Sequence, residues 1–250
     1  SVKLATLGRL TNLSNNRSRT LSAIIGNGVS ASVTCHLSPL TTMVTARVAA
    51  LIQSQSTILD ESELSSLHES LALELGLGSS VDARRVQSDD LTNSAQVQAS
   101  DPSARLGLFH AAVSELAQSL RNSSRGFGAL DSLDLVELFA TDYSDGLFNG
   151  TMVIANRAVP VQFNAASLNI GDVTTGLSTA ANTFLGSAAN QSGQTSSDFS
   201  ATSNEFAQVT QNLPQSPNSA PSFELSGSFT IETGKNLTLQ LTQLSPGTFA

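Results

Sequence analysis

The spacing of apolar residues changes along the chain, and each change marks a different kind of element. Between residues 29 and 37, apolar side chains alternate with Ser, Thr and His, which predicts a half-buried strand after the turn Gly26-Asn27-Gly28. In four stretches between residues 40 and 139, apolar positions recur every three or four residues, as in amphipathic helices. Alternation returns near the hairpin sequence at 151–163 and again at 223–241. The pattern predicts an α+β fold: a helical core of about four to six helices, short antiparallel strands at both ends and a C-terminal β-hairpin.

Local start signals divide the helical region into four main helices. Ser38-Pro39 and Asp101-Pro102 each place a capping residue before a proline, the order typical of helix N-termini. Asp60 with Glu63 three residues later matches a capping box, and Asp131 begins a shorter fourth helix. These signals predict four helices between residues 39 and 141.

Weaker elements follow the fourth helix. The stretch TMVIANRAVPVQF predicts a hairpin, and Pro160 places its second strand at a sheet edge because proline has no N–H to donate. Residues 171–187 and 198–212 are rich in Ala, Ser and Thr and predict two weaker helices. The polar stretch at 79–100, by contrast, predicts a long surface loop.

A cluster of prolines separates the helical region from the C-terminal hairpin. Pro214, Pro217 and Pro221 indicate a linker, because proline favours extended backbone and lacks a donor for helix or sheet. Four regions result, and their bounds are 1–37 for an N-terminal strand region, 38–212 for a mainly helical domain with a hairpin near 151–163, 213–221 for the proline-rich linker and 222–250 for the C-terminal β-hairpin.

The C-terminal hairpin carries too many apolar residues to remain exposed. A two-stranded hairpin alone is marginally stable in water, so these side chains must pack against another surface. That surface is either the strand at residues 29–37 of the same chain or a sheet edge of a neighbouring copy. In the second alternative, the predicted subunit interface consists of Phe223, Leu225, Phe229, Ile231, Leu237, Leu239 and Leu241.

The composition narrows the possible partners. Charged residues make up only 13% of the chain, and its polarity comes mainly from Ser, Thr, Asn and Gln, which suits an extracellular or fibre-forming protein. The net charge of −8, without a basic patch, predicts no nucleic-acid binding. No run of 18 apolar residues occurs, so no transmembrane segment is predicted. The single Cys35 excludes an intrachain disulfide, and its place in an alternating run predicts a buried thiol.

The stretch TDYSDGLFNG places several oxygen-bearing side chains between two apolar runs. Asp142, Ser144, Asp145 and Asn149 could supply ligands to calcium, which takes six to eight oxygens. Their spacing is not that of an EF-hand, since Ser occupies position 144. The competing interpretation is a turn, with Gly146 at positive φ and Asn149 opening the hairpin strand. Both interpretations remain open at the level of sequence.

The remaining chemistry-bearing residues do not form a recognisable catalytic pattern. Of the three histidines, His68 and His110 lie within predicted helices, and the chain has no G-x-S-x-G, H-E-x-x-H or glycine-rich phosphate motif. With no Trp and a single Tyr, it also has little aromatic surface on which to stack a sugar. We therefore expect a protein that is not an enzyme and needs no cofactor other than, at most, calcium.

Three stretches resemble a pattern found in large exported surface proteins and lipoproteins of Gram-negative bacteria. VTCHLSPLTTMVTARV is similar to the junction after a carboxypeptidase-regulatory-like β-module, TDYSDGLFNG to an acidic glycine turn downstream, and FLGSAANQSG to a helix end. The similarity spans roughly residues 20–195. Asn149 stands where the family's turn usually has its second acidic position. The resemblance implies an exported or surface location and no particular reaction.

Together these observations predict a noncatalytic extracellular structural protein. We expect a self-assembling subunit of a bacterial surface filament or fibre that uses strand exchange, with further copies of itself as the partner. The alternative is a calcium-dependent surface adhesin or lipoprotein domain. A secreted hydrolase is the least favoured class.

Overall fold

Six α-helices and three antiparallel strand pairs make up the described part of the chain, which confirms the predicted α+β class. The computed structural model describes residues 2–12, 17–26, 35–55, 59–78, 81–93, 97–154 and 157–208. The predicted linker at 213–221, the C-terminal hairpin with its seven interface residues, and positions 29–34 of the predicted N-terminal strand all lie outside the described residues.

The four main helices begin where the capping signals predict. They are α1 (Pro39–Gln55), α2 (Glu61–Glu74), α3 (Pro102–Asn122) and α4 (Ser132–Asp142). Before α2, Asp60 accepts a hydrogen bond from the N–H of Glu63 at 2.9 Å, and Glu63 accepts one from the N–H of Asp60 at 2.8 Å. The two-way exchange satisfies backbone donors that the first helical turn leaves without partners.

An N-terminal ribbon precedes the helices. Strands β1 (Val2–Asn12) and β2 (Arg17–Gly26) pair antiparallel from Val2↔Gly26 to Asn12↔Arg17, with a register shift between Leu4 and Thr6. The sequence predicts an N-terminal strand region at 1–37 but does not place these two strands, and in β1 the shift interrupts the two-residue period that identifies a strand.

The predicted strand at 29–37 is wrong at its C-terminal end. Residues 35–38 form irregular backbone rather than a strand. The N–H of His36 donates at 2.8 Å to the carbonyl oxygen of Arg84, a residue in the long loop after α2. Cys35 is half-buried, not fully buried as the alternation predicted.

Two small hairpins and two shorter helices complete the chain. Strands β3 (Thr151–Ile154) and β4 (Arg157–Pro160) form the predicted hairpin, and β5 (Gln162–Phe163) pairs with β6 (Ala166–Ser167). A π-helical turn at Asp172–Gly176 leads into α5 (Leu177–Leu185), and α6 (Ser200–Gln208) follows. Both helices fall within the ranges predicted for weaker helices.

The apolar core lies between the helices. Helix α1 packs against α4 and β2, and α3 packs against α5. Two edge-on aromatic pairs lie in the core: Phe139 packs against Phe148 of the following loop at 4.8 Å between ring centroids, and Phe109 packs against the distant Phe206 at 6.0 Å. No helix in the described ranges is both long enough and apolar enough to cross a bilayer.

Candidate functional site

The four residues predicted as cation ligands lie on the connection from α4 to β3. Helix α4 ends at Asp142, a 3-10 turn spans Tyr143–Asp145, and Gly146 has a φ of +90°. The left-handed backbone at Gly146 is the conformation that the turn interpretation predicts. We call residues 142–151 the α4–β3 loop.

Hydrogen bonds to the Asp142 side chain link the end of α4 to the residues just before the β3–β4 hairpin. Its carboxylate is fully buried, and its Oδ1 accepts hydrogen bonds from the N–H groups of Gly150 at 2.8 Å and Asn149 at 3.3 Å. Its Oδ2 is buried and has no hydrogen-bond partner among the described residues. Burial raises the pKa of Asp142 to about 8, because desolvation disfavours the charged form more than the backbone N–H groups stabilise it.

Asp145 repeats this arrangement at the tip of the loop. Its Oδ1 accepts a hydrogen bond from the N–H of Leu147 at 2.8 Å, while its Oδ2 is buried without a hydrogen-bond partner in the described part of the chain. Burial raises the pKa of Asp145, and the negative charge of Asp145 adds to the rise in the pKa of Asp142. The two carboxylates therefore interact electrostatically.

The other two predicted ligands are engaged by the turn itself. The hydroxyl of Ser144 donates to the carbonyl oxygen of Thr141 at 2.7 Å. The carboxamide oxygen of Asn149 accepts from both the N–H and the hydroxyl of Thr151, at 2.9 and 2.6 Å. Of the four predicted side chains, Asp142 and Asp145 are thus the pair with buried, unpartnered oxygens.

A positive charge on α1 borders the α4–β3 loop. The Nη1 of Arg47 donates to the carbonyl oxygen of Ser144 at 3.2 Å, and a Cβ at Gly146 would lie 2.8 Å from the Arg47 guanidinium carbon. Burial lowers the pKa of Arg47, whereas Tyr143 and Asp145 act in the opposite direction. Arg47 was not among the predicted site residues, although it is the single charged residue in α1, a signal that could have identified it.

A second polar cluster holds the loop after α2 against the rest of the fold. The Nη2 of Arg84 lies 2.6 Å from Asp82 Oδ2 and 2.8 Å from Glu61 Oε1, and Nη1 donates to the carbonyl oxygen of Ile24 at 3.3 Å. Residues 81–84 are buried. The predicted surface loop at 79–100 therefore turns inward at this point, where a guanidinium joins the loop to α2 and β2.

A third contact anchors the π-helical turn before α5. Arg125 forms a two-pronged ion pair with Asp172, at 2.5 Å from Nη1 to Oδ1 and 2.9 Å from Nη2 to Oδ2. Its guanidinium carbon also lies 5.2 Å from the centre of the Phe127 ring. Asp172 in turn accepts from the N–H of Asn169 at 2.9 Å. The contact links the segment after α3 to the turn that starts the next helix.

Three titratable residues on α2 and α3 lie in a desolvated environment: His68 and Glu74 are buried, and His110 is partly buried. His68 is 1% exposed and neither ring nitrogen has a hydrogen-bond partner among the described residues. Burial lowers the pKa of both His68 and His110 to about 4 and raises that of Glu74 to about 7. Within the described ranges, no group of three or more His, Cys, Asp or Glu side chains is placed to hold a metal ion.

Two of the six N-x-S/T sequons are used as turns. Asn190 resembles Asn149, because its carboxamide oxygen accepts from the N–H of Ser192 at 3.2 Å and from its hydroxyl at 2.6 Å. The amide nitrogen of Asn190 donates to the carbonyl oxygens of Leu185 and Gln194. In both sequons the asparagine and the hydroxyl residue thus bind each other in an Asx-type turn. Asn122, at the end of α3, is exposed.

No protein-family model, curated protein or solved structure matches the chain. The resemblance to exported Gram-negative surface proteins stays a hypothesis.

Proposed function

We propose that the chain is a noncatalytic structural subunit of a bacterial surface filament or fibre that assembles with copies of itself by strand exchange. The observation that carries this proposal is the asymmetry of the N-terminal ribbon. Strand β2 pairs with β1 on one side and also packs on α1. Strand β1, by contrast, pairs with no strand other than β2 among the described residues. The outer edge of β1 therefore offers the backbone groups that an added strand requires.

The burial of β2 supports the ribbon as a fixed acceptor. Leu21, Ala23 and Ile24 are buried in the core, and the N–H of Ser22 donates to the hydroxyl of Thr42 on α1 at 3.1 Å. Arg84 adds its hydrogen bond to the Ile24 carbonyl. A ribbon held in this way presents β1 in a defined position, so that strand addition does not first have to order the acceptor.

The proposed donor is the segment that contains the alternating residues Phe223 to Leu241. The first alternating run of this segment, residues 223–231, has a length comparable to the eleven residues of β1. A contact between two different surfaces does not close on itself and can therefore propagate into a filament. The low charge content weakens repulsion between stacked copies.

The proposed location is the cell surface or the extracellular space. It is supported by the polar, uncharged composition and by the resemblance to exported surface proteins. The long-range ion pairs are consistent with a structural role, since Arg84 and Arg125 each join segments that are distant along the chain.

The assembly proposal is tested by comparing the full chain with a chain that ends at Pro221. We expect filaments by electron microscopy and high-mass species by light scattering from the full chain, and monomer from the shortened chain. A peptide of residues 222–250 added to the shortened chain should slow amide hydrogen exchange in β1 and leave α3 unchanged. Filaments that persist without the hairpin, or a full chain that stays monomeric at high concentration, would contradict the proposal.

A calcium-dependent surface adhesin or lipoprotein domain is the second candidate. The observation that favours it is the pair of buried, unpartnered oxygens on Asp142 and Asp145. A secreted hydrolase remains the least favoured class, and hydrolysis of a substrate that is lost on changing one histidine would reverse this order.

A further inference from the structure

We infer that the α4–β3 loop binds a hard divalent cation, with Ca²⁺ as the fitting class, through Oδ2 of Asp142 and Oδ2 of Asp145. This inference is independent of self-assembly and gives the adhesin alternative a defined site. It starts from the two oxygens themselves, which are buried and have no hydrogen-bond partner among the described residues. A buried carboxylate oxygen without a partner is costly, and a cation is a partner that satisfies such an oxygen.

The backbone of the loop fixes how both carboxylates are oriented. Asp142 Oδ1 is held by the N–H of Gly150 at 2.8 Å, and Asp145 Oδ1 by the N–H of Leu147 at 2.8 Å. In each carboxylate, Oδ1 accepts a backbone hydrogen bond, and Oδ2 is buried without a hydrogen-bond partner among the described residues. Hydrogen bonds of this kind to the non-coordinating atom of a ligand are typical of metal sites, where they set the direction of the coordinating atom.

Calcium suits these oxygens better than a transition metal would. The open groups are hard carboxylate oxygens, without the imidazole or thiolate ligands that zinc or copper favour. Two carboxylates do not complete a calcium shell, so backbone carbonyls and water must provide the remaining ligands. Ser144, Asp145, Gly146 and Leu147 are partly exposed, which leaves the tip of the loop open to solvent.

Arg47 sets a limit on the affinity of the site. Its guanidinium lies against Gly146, donates to the Ser144 carbonyl and interacts favourably with Asp145. A divalent ion must therefore bind beside an existing positive charge, which weakens binding. Removing that charge should tighten cation binding, whereas a loop that serves only as a partner for Arg47 would gain nothing from the change.

Tyr143 can serve as an intrinsic fluorescent reporter of cation binding at this loop. Tyr143 is the single Tyr, lies between the two carboxylates in sequence, and is accompanied by no Trp. Terbium ions bind calcium sites and emit when a nearby excited tyrosine transfers energy to them. Emission from Tb³⁺ under tyrosine excitation therefore reports an ion close to Tyr143 and nowhere else in the chain.

The experiment is a Tb³⁺ titration of the full chain followed by displacement with Ca²⁺. We expect saturable emission that Ca²⁺ reverses, at least a tenfold weaker apparent affinity in Asp145→Asn, and a severalfold tighter one in Arg47→Gln. Asp198→Asn is the matched control, because Asp198 is an exposed aspartate that holds Thr195 in a turn far along the chain, and it should bind as the unmodified chain does.

Circular dichroism on each variant separates loss of binding from loss of fold. If Asp142→Asn does not fold, Asp145→Asn alone tests cation binding. The Asp145 side chain accepts one hydrogen bond, from Leu147, at the partly exposed tip of the loop, so this variant is expected to fold. The inference is overturned by the absence of sensitised emission, by emission that Ca²⁺ does not displace, or by equal affinities in the unmodified chain and in Asp145→Asn.

Discussion

The carboxylate of Asp142, at the last residue of α4, accepts a hydrogen bond of 2.8 Å from the N–H of Gly150, immediately before β3. The seven residues between these two groups form the loop that reverses the chain, and Phe148 from the same loop packs edge-on against Phe139 of α4. One buried side chain therefore holds a turn closed over part of the core.

Replacing Asp142 with Ala should destabilise the fold by about 2–3 kcal/mol, because the backbone donors of Asn149 and Gly150 lose their acceptor in a buried place. Asp142→Asn keeps an acceptor oxygen of the same shape and should cost less. The measurement is the free energy of unfolding by urea in a chelating buffer, which removes any effect of bound cations. Equal losses for the two variants would contradict this account of the hydrogen bonds.

Three glycines allow backbone strain to be separated from crowding. Gly150 has a φ of +83° and a Cβ there would lie 2.8 Å from backbone atoms of Asn169; Gly193 has a φ of +75° with open space; Gly128 has neither constraint. Substitution by Ala should cost about 1 kcal/mol at position 193 from strain alone and clearly more at 150. Gly128→Ala should have almost no effect. A similar loss of thermal stability at 150 and 193 would argue against the close approach to Asn169.

Much of the helical part of this fold could be predicted because its signals are local. The capping box of Asp60 and Glu63 spans four residues, and the proline at position 39 fixes the start of α1 without reference to any other part of the chain. Ribbon β1–β2 could not be predicted in the same way, since the shift between Leu4 and Thr6 breaks the period.

The polar contacts were less predictable because their partners are distant in sequence. Arg47 reaches Ser144 across 97 residues and Arg84 reaches Ile24 across 60, so neither arginine's role is visible in its neighbours. The sequence pointed to the loop that carries Asp142 and Asp145, and its role as a cation site stays a prediction. It could not show that Ser144 and Asn149 would be engaged by the turn, since this depends on the backbone geometry of the loop.

The Arg84 cluster provides a direct comparison between neighbouring arginines. The Arg84 side chain is 5% exposed and contacts Asp82 and Glu61 within 2.8 Å, whereas that of Arg85 is 71% exposed and its ion-pair distances are 3.5 and 3.9 Å. Arg84→Met should destabilise the fold by about 3–5 kcal/mol, because it leaves the buried carboxylate of Asp82 without its partner. Arg85→Met should cost less than about 1 kcal/mol. Urea unfolding of both variants measures the difference, and equal effects would refute the role of Arg84 as a buried link.

His68 gives the fold a defined sensitivity to acid. Burial lowers the pKa of His68 from 6.5 to about 4. The charge of nearby Arg84 also lowers this pKa, whereas the charge of Asp82 raises it. Between these two values the unfolded chain binds a proton that the folded chain does not, so the free energy of unfolding rises with pH across this window. The stability that neutral His68 allows is complete above about pH 6.5 and is lost as the pH falls towards 4. The loss amounts to at most about 3 kcal/mol.

The test is to follow the free energy of unfolding between pH 4 and 7 in the unmodified chain and in His68→Leu. The variant should lose much of the acid sensitivity but not all of it, because desolvation lowers the pKa of the partly buried His110 in a similar way, and His110 contributes with the same sign. Glu74 contributes with the opposite sign: burial raises its pKa from 4.5 to about 7, so its proton stabilises the folded chain at low pH and that stability is lost as pH rises through 7. Glu74→Gln should therefore steepen the acid loss, and His68→Leu should flatten it. If both variants follow the pH curve of the unmodified chain, the buried environment assigned to these two α2 residues is wrong.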